Sequence, residues 1–87
     1  MPLYKKTYNE IYTDDFSGHK IGYIRFENVG NNTYCITEVR VEPILAGQNV
    51  DSKLVELAVK EIRDRKGKIT AIDPFAKAWL ARRNITQ

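Results

Sequence analysis

The stretch from Thr37 to Leu57 holds the residues that could carry chemistry. It reads as a β-branched strand, a short loop that contains Gly47, and the start of an amphipathic helix. The first amide groups of a helix have no partners within the helix, so a loop of small residues leading into one can bind an anion. The spacing therefore predicts a candidate anion pocket where this helix begins.

Other kinds of site find little support in the sequence. The single histidine, His19, and the single cysteine, Cys35, have no spacing typical of a zinc site, so we expect no metal. We interpret Cys35 as a small core residue. The chain has neither a Walker phosphate loop nor the dinucleotide-binding glycine fingerprint. It also has no aromatic RNA-binding strand and no helix-turn-helix spacing, which argues against nucleic acid as a partner.

The composition indicates a single domain that covers residues 1–87. A chain of this length can bury one core layer between a sheet and one or two helices. Hydrophobic residues make up 43% of the chain and charged residues 29%, which is typical of a globular protein. No apolar run approaches the roughly 20 residues that a membrane span needs, and the N-terminus does not resemble a signal peptide. With one unpaired cysteine, these features predict a cytoplasmic protein without a membrane partner.

Charge is distributed unevenly along the chain. Residues 1–50 contain five Lys or Arg and six Asp or Glu, whereas residues 51–87 contain nine and five. The basic second half could attract an anionic ligand, a phosphate-rich cofactor or nucleic acid. Alternatively, it is a solvated helix face with no ligand.

Hydrophobic periodicity predicts the strands that position the candidate pocket. Alternating apolar residues indicate three strands in an antiparallel meander, over residues 6–13, 19–28 and 33–41. We place Ile24 and Phe26 toward the core. In the third strand, strict alternation places Val39 on the face opposite to that of Ile36.

The helix that follows begins near residues 49–52 and ends at about residue 65. Its apolar stripe consists of Leu54, Leu57, Ala58 and Ile62. Either Asp51 or Ser52 can serve as its N-cap. We expect Gly67 to be the left-handed residue that ends it.

A short buried strand over residues 68–72 comes next. A strand, a helix and a second strand imply a right-handed crossover, so this strand should run parallel to the third one. Pro74 then begins a short C-terminal helix, with Asp73 as its N-cap.

This order of elements resembles the short, single-domain members of the GNAT acetyltransferase superfamily. The resemblance runs from about Ile21 to Arg82. It rests on four short motifs: Thr-Glu-Val in a strand (37–39), Gly-Gln in a loop (47–48), Lys-Leu-Val at a helix start (53–55) and Asp-Pro-Phe before the last helix (73–75). It implies an α/β (α+β), GNAT-like fold, in which an antiparallel β-meander continues into one parallel strand. A long helix would pack on the sheet, followed by a short C-terminal helix.

The resemblance also implies a function, the transfer of an acetyl group from acetyl-CoA to an amine. The strand edge at Val39, Arg40 and Val41 would pair with the pantetheine arm. The loop would hold the pyrophosphate through Gly47, Gln48, Asn49, Val50, Asp51, Ser52 and Lys53. Glu38 would act as a base through water, and Asp73 stands where the family has a cysteine that is thought to be reactive.

The loop departs from the R-G-x-G-x-G pattern of that family. Ala46 replaces the basic residue, and Asn49 and Asp51 replace the last two glycines. Asparagine tolerates positive φ, so Asn49 can keep the turn. The Asp51 carboxylate can occupy the amide groups that a phosphate would use, and it repels an anion by about 1 kcal/mol or more. In addition, Asp73 cannot act as a thiolate.

Each candidate residue has a structural alternative. Gly47 could be only a turn glycine, Glu38 an exposed strand residue and Lys53 a solvated side chain, while Asp73 could act only as an N-cap. A second function therefore stays open, that of a catalytically inactive GNAT-like module that interacts with other proteins. A third is a nucleic-acid surface on the basic half, which would bind with a steep salt dependence.

Overall fold

The computed structural model describes residues 3–85, and its five strands form one sheet in the order β1 to β5. The strands are β1 (Lys5–Lys6), β2 (Glu10–Asp14), β3 (Lys20–Gly30), β4 (Thr33–Val41) and β5 (Lys68–Ala71). Neighbouring strands are antiparallel, except that β4 and β5 are parallel. This sheet confirms the predicted meander with one parallel strand.

Two helices complete the fold. Helix α1 (Val50–Asp64) connects β4 to β5 after one turn of 3₁₀ helix at Pro43–Leu45, and helix α2 (Pro74–Arg82) follows β5. No helix within residues 3–85 is both long enough and apolar enough to cross a membrane.

The first predicted strand, over residues 6–13, is in fact two strands. The chain turns at residues 7–9, where the Thr7 N–H donates to the Glu10 carbonyl at 2.8 Å. Lys6 therefore lies opposite Ile11 in a hairpin. The apolar pattern alone does not reveal this turn, since its residues carry no glycine or proline.

The core lies between one face of the sheet and the two helices. Its buried side chains come from four strands and both helices, and include Ile11, Ile24, Phe26, Ile36, Leu54, Val55, Ala58, Ile62, Trp79 and Leu80. The predicted inward positions of Ile24 and Phe26 are confirmed, and so is the apolar stripe of α1, in which Leu57 is half-buried.

A β-bulge in β4 changes which residues face the core. Ile24 lies opposite Val39 and Phe26 opposite Ile36, so β4 carries one extra residue, Thr37. An extra residue reverses the alternation of faces. Ile36 and Val39 therefore both contact the core, and the prediction that they lie on opposite faces is wrong.

The end of α1 also differs from the prediction. Lys66, rather than Gly67, adopts the left-handed conformation, with φ of 61°. Gly67 is instead required by lack of space, because an added Cβ would lie 2.6 Å from Cδ1 of the buried Tyr34 ring and 3.1 Å from Cγ2 of Ile62. A glycine here lets the chain pass beside an aromatic side chain.

The sheet face away from the core carries a buried carboxylate. The side chain of Glu10 is 8% exposed and accepts hydrogen bonds from Lys20 Nζ at 2.6 Å and Arg25 Nε at 3.1 Å. Burial raises the pKa of Glu10, but the two hydrogen bonds outweigh it, and the net effect is a lowered pKa.

We predict that Gly67→Ala lowers the free energy of unfolding by about 1–3 kcal/mol, because the new methyl group overpacks against Tyr34. Urea unfolding measures this loss. Lys66→Gly is the matched control, and we expect it to be neutral or stabilising, since glycine adopts positive φ without strain. If Lys66→Gly lowers the stability and Gly67→Ala does not, then Gly67 is not the crowded residue at the end of α1, and this part of the structure is wrong.

We also predict a pH-dependent contribution from Glu10. Because its pKa is lower in the folded state, its stabilisation is fully present above the pKa of the unfolded chain and is lost as the pH falls through the folded value. Stability lost in Glu10→Gln should therefore be large at pH 7 and shrink as the pH falls from about 5 to about 3. Urea midpoints measured across this range, with the exposed Glu27→Gln as control, test it; a pH-independent difference would contradict it.

Candidate functional site

The loop between β4 and α1 has two residues in the left-handed region. Gly47 has φ of 81° and Asn49 has φ of 56°. Asn49 is the residue before α1 and is therefore its N-cap, so the prediction that Asp51 or Ser52 caps the helix is wrong. The expectation that an asparagine can keep this turn is confirmed.

The loop presents backbone amides that have no acceptor among the described residues. These are the N–H groups of Gly47, Asn49, Val50 and Asp51. The N–H of Ser52 is occupied, because it donates to Oδ1 of Asp51 at 2.7 Å. A Cβ built on Gly47 would meet nothing within 4 Å, so the loop is open to a ligand. Free amides in a loop with left-handed residues, at a helix N-terminus, are suited to bind an anion.

The side chains around the loop differ in what they can reach. Val50 is 2% exposed and belongs to the core, so only its backbone is available. Gln48 is exposed. Lys53 is about half exposed, and its Nζ lies 3.7 Å from Oε2 of Glu56, so this pairing is weak. The ammonium group of Lys53 is therefore free to turn toward an anion at the loop.

Strand β5 pairs along its whole length, but only with the first half of β4. The last pair is Ile36 with Ala71, and β4 then continues to Val41 without a neighbour on that side among residues 3–85. The predicted strand over residues 68–72 is one residue too long, because Ile72 is 66% exposed. An opening therefore lies beside the second half of β4.

The alternation of hydrogen bonds decides which backbone groups face this opening. The Glu42 N–H donates to the Ile21 carbonyl at 2.8 Å, so Glu42 and Arg40 direct their amides toward β3. Val39 and Val41 direct theirs to the other side. Among the three edge residues of the prediction, Val39 and Val41 have backbone groups at the opening, and Arg40 does not.

Asp73 lies at this opening, and its carboxylate accepts hydrogen bonds from both β4 and α2. Its Oδ1 accepts a hydrogen bond from the Ala76 N–H at 2.9 Å, which confirms it as the N-cap of α2. Its Oδ2 accepts from the Val39 N–H at 3.1 Å. The side chain therefore connects the start of α2 to the edge of β4, a contact that the sequence did not reveal.

Glu38 belongs to a different group of side chains. It accepts a hydrogen bond from the Tyr23 hydroxyl at 2.8 Å, and both Arg25 and Arg40 pair with it, at 3.4 Å and 3.6 Å. Burial raises the pKa of Tyr23, and its bond to Glu38 raises it further. This cluster lies on the sheet face away from the core, and within residues 3–85 no bond links Glu38 to Asp73.

His19 and Cys35 do not form a second site within residues 3–85. Residues 3–85 contain no group of three or more His, Cys, Asp or Glu side chains that could hold a metal ion. Nε2 of His19 lies 2.6 Å from Oε2 of Glu42 at the surface. Cys35 is buried, and burial raises the pKa of its thiol.

Comparisons with known proteins identify the family of this chain. The sequence model of a family described as GCN5-related N-acetyl-transferase matches residues 10–86. Among proteins with curated functions, no match is found.

Several solved structures share the fold. A GCN5-like protein from Staphylococcus aureus, solved by NMR, is 31% identical, with a TM-score of 0.75 over 94% of this chain and 80% of that one. A Mycobacterium tuberculosis protein in complex with CoA is 18% identical, with a TM-score of 0.69 over 87% of this chain and 47% of that one. An IAA acetyltransferase from Bacillus cereus is 17% identical, with a TM-score of 0.64 over 84% and 51%.

This chain spans about half the length of the last two proteins, and at their level of identity the likeness shows the fold alone. The family match is stronger, because it runs from Glu10 nearly to the end of the chain and agrees with the staphylococcal structure. The protein is therefore a member of the GCN5-related N-acetyl-transferase family.

Proposed function

We propose that this protein transfers an acetyl group from acetyl-CoA to an amine. One observation carries the proposal, namely that the unpaired edge of β4 lies in the same chain segment as a loop with free amides. The amides of Gly47, Asn49 and Val50 would bind the pyrophosphate, with Lys53 beside them. The carbonyl group of Val39 and the backbone of Val41 would pair with the pantetheine arm.

The chemistry needs little besides positioning. The amine nitrogen attacks the thioester carbonyl carbon, the carbon–sulfur bond breaks, and CoA leaves as a thiolate that takes up a proton. In this scheme the Val39 N–H donates to the carbonyl oxygen and stabilises its developing charge. Holding amine and thioester together in the opening supplies most of the remaining acceleration.

Asp73 determines whether that amide is accessible. Its Oδ2 occupies the Val39 N–H, so an acetyl oxygen must displace it. The bond from Oδ1 to the Ala76 N–H can persist while the other oxygen moves. Once displaced, Oδ2 lies beside the acyl carbon and can accept the proton that the amine loses. Glu38 is a weaker candidate base, because Tyr23 and two arginines hold its oxygens.

A second function, a catalytically inactive GNAT-like module, has two observations in its favour. The Asp73 carboxylate accepts the hydrogen bond of the Val39 N–H, which would otherwise polarise the thioester. The Asp51 carboxylate likewise accepts from the Ser52 N–H at the start of α1. At these two amides, the carboxylate oxygens occupy the places that the acetyl and pyrophosphate oxygens of acetyl-CoA would take. In such a module the fold would persist and serve protein interactions.

A titration with acetyl-CoA, followed by backbone amide chemical shifts in NMR, tests the proposal. We predict shifts confined to residues 39–54 and, because Oδ2 of Asp73 is displaced, to residues 73–76. Asp51→Gly should bind about fivefold more tightly, because removing the carboxylate relieves a repulsion of about 1 kcal/mol. Asp64→Asn is the matched control, since it makes the same change in net charge at the opposite end of α1.

The outcomes of this titration separate the two functions. Equal gains in Asp51→Gly and Asp64→Asn would show a nonspecific charge effect and contradict the assigned loop. No shifts with millimolar acetyl-CoA, in the wild type or in Asp51→Gly, would refute the enzyme and leave the inactive module.

A separate prediction concerns Asp73→Ser. Serine keeps the N-cap of α2 but has only one oxygen, so the Val39 N–H becomes free. We expect acetyl-CoA to bind at least about tenfold more tightly, since a charged hydrogen bond of roughly 1.5–3 kcal/mol no longer competes. CoA lacks the acetyl oxygen and should bind unchanged, so calorimetry with both ligands measures the effect. An equal change for both ligands would show that Asp73 does not compete with the acetyl group.

A further inference from the structure

The positive charge of the second half is carried mostly by side chains without an acidic partner. In the first half, every one of the five Lys and Arg residues pairs with a carboxylate. In the second half, Lys53, Lys60 and Arg65 do so. The other six have no such partner within residues 3–85: Arg63, Lys66, Lys68, Lys77, Arg82 and Arg83.

The fold brings most of these cations to one end of the molecule. The end of α1, the start of β5 and the end of α2 lie together, and two neighbouring hollows there share Arg63 and Ile85 as lining residues. Together the hollows form what we name the basic groove. It is defined by Arg63, Lys68 and Arg83 as cations, and by Val59, Trp79 and Ile85 as apolar residues.

The cations of the basic groove are available to a ligand. Of the two carboxylates that line it, Asp64 pairs with Lys60 at 3.0 Å, whereas Glu56 has only its weak 3.7 Å contact with Lys53, and neither carboxylate pairs with Arg63, Lys68 or Arg83. Arg83 is held in place, because its guanidinium carbon lies 3.8 Å from the centre of the Trp79 ring. A guanidinium that is already ordered loses less entropy when it binds a carboxylate.

The buried base of the basic groove is apolar. Val59 and Trp79 are each 5% exposed, and they lie between the two helices. The Trp79 Nε1 is buried and has no acceptor among the described residues. A phosphate backbone needs only positive charge, and bases need an exposed ring to stack on, which the buried Trp79 does not offer. An apolar floor beneath cations instead matches an apolar side chain.

We propose that the basic groove binds an acidic segment of a partner protein that alternates carboxylates with apolar side chains. Its carboxylates would bind Arg63, Lys68 and Arg83, and an apolar side chain would lie against Val59 and Ile85. The groove lies along the second half of α1, where Val59 and Arg63 are about 14 and 20 Å along the helix axis from Val50. This binding is therefore independent of acetyl-CoA.

The intrinsic fluorescence of Trp79, the single tryptophan of the chain, reports on the groove directly. The probe is a synthetic 12-residue peptide of four Glu-Leu-Asp repeats, titrated into the 87-residue protein at about 50 and about 200 mM NaCl. We expect saturable binding that weakens with salt. Arg63→Glu should weaken it about tenfold, whereas Lys77→Glu, the same charge change on an α2 residue outside the groove, should not.

Several results would overturn the proposal. One is the absence of saturable binding below millimolar peptide. Another is an equal loss in Arg63→Glu and Lys77→Glu, which would indicate a general charge effect. A 12-nucleotide oligouridine that binds more tightly than the peptide, with the same dependence on Arg63, would assign the groove to nucleic acid instead. Amide spectra of both variants establish that they are folded, and Arg83→Gln provides a second, milder removal of charge.

Discussion

The two hydrogen bonds of the Asp73 carboxylate are the interaction on which the site depends. One oxygen binds the Ala76 N–H and starts α2, and the other binds the Val39 N–H on the edge of β4. Hydrogen bonds to a charged group contribute roughly 1.5–3 kcal/mol each, so this contact holds the start of α2 against β4. It also closes the opening that the parting of β4 and β5 creates. A ligand there must compete with a side chain that is already well satisfied, so local stability and ligand access oppose each other at this residue.

The bulge at Thr37 explains why the Val39 amide is free for such a bond. Before the bulge, β4 pairs with β5 as far as Ile36. After it, the strand keeps its pairing with β3, shifted by one residue, and has no neighbour on the other side among residues 3–85. Bulges bend the strand that contains them. The bend allows one strand to belong to a packed sheet and, a few residues later, to offer free backbone groups.

Features set by neighbouring residues could be predicted from the sequence, and features set by distant ones could not. The limits of β4, the span of α1 and the capping of α2 by Asp73 follow from local periodicity and turn chemistry, and they agree with the structure. The bulge had a signal, since apolar residues at 34, 36, 39 and 41 break the two-residue repeat. The bond from Asp73 to Val39 spans 34 positions and had none. Of the predicted loop residues 47–53, four have amides without an acceptor among the described residues, whereas the amides of Gln48, Ser52 and Lys53 are bonded. The sequence placed the helix cap at Asp51 or Ser52 instead of Asn49, because several residues in this loop are of types that can cap a helix.

The dipole of helix α1 bears on both of the proposed anion sites. At its N-terminus the unpaired amides carry partial positive charge, so an anion can bind there without basic side chains. At its C-terminus the free carbonyl groups carry partial negative charge, which stabilises nearby cations such as Arg63 and Lys66. The same holds for Arg82 and Arg83 at the end of α2. Helix ends therefore lower the cost of gathering unpaired basic residues in one place, whereas a sheet has no comparable dipole, and the cations of β1, β3 and β4, though not Lys68 of β5, are paired with carboxylates. The contrast between the paired cations of β1, β3 and β4 and the unpaired basic residues at the helix ends agrees with the dipoles of these elements.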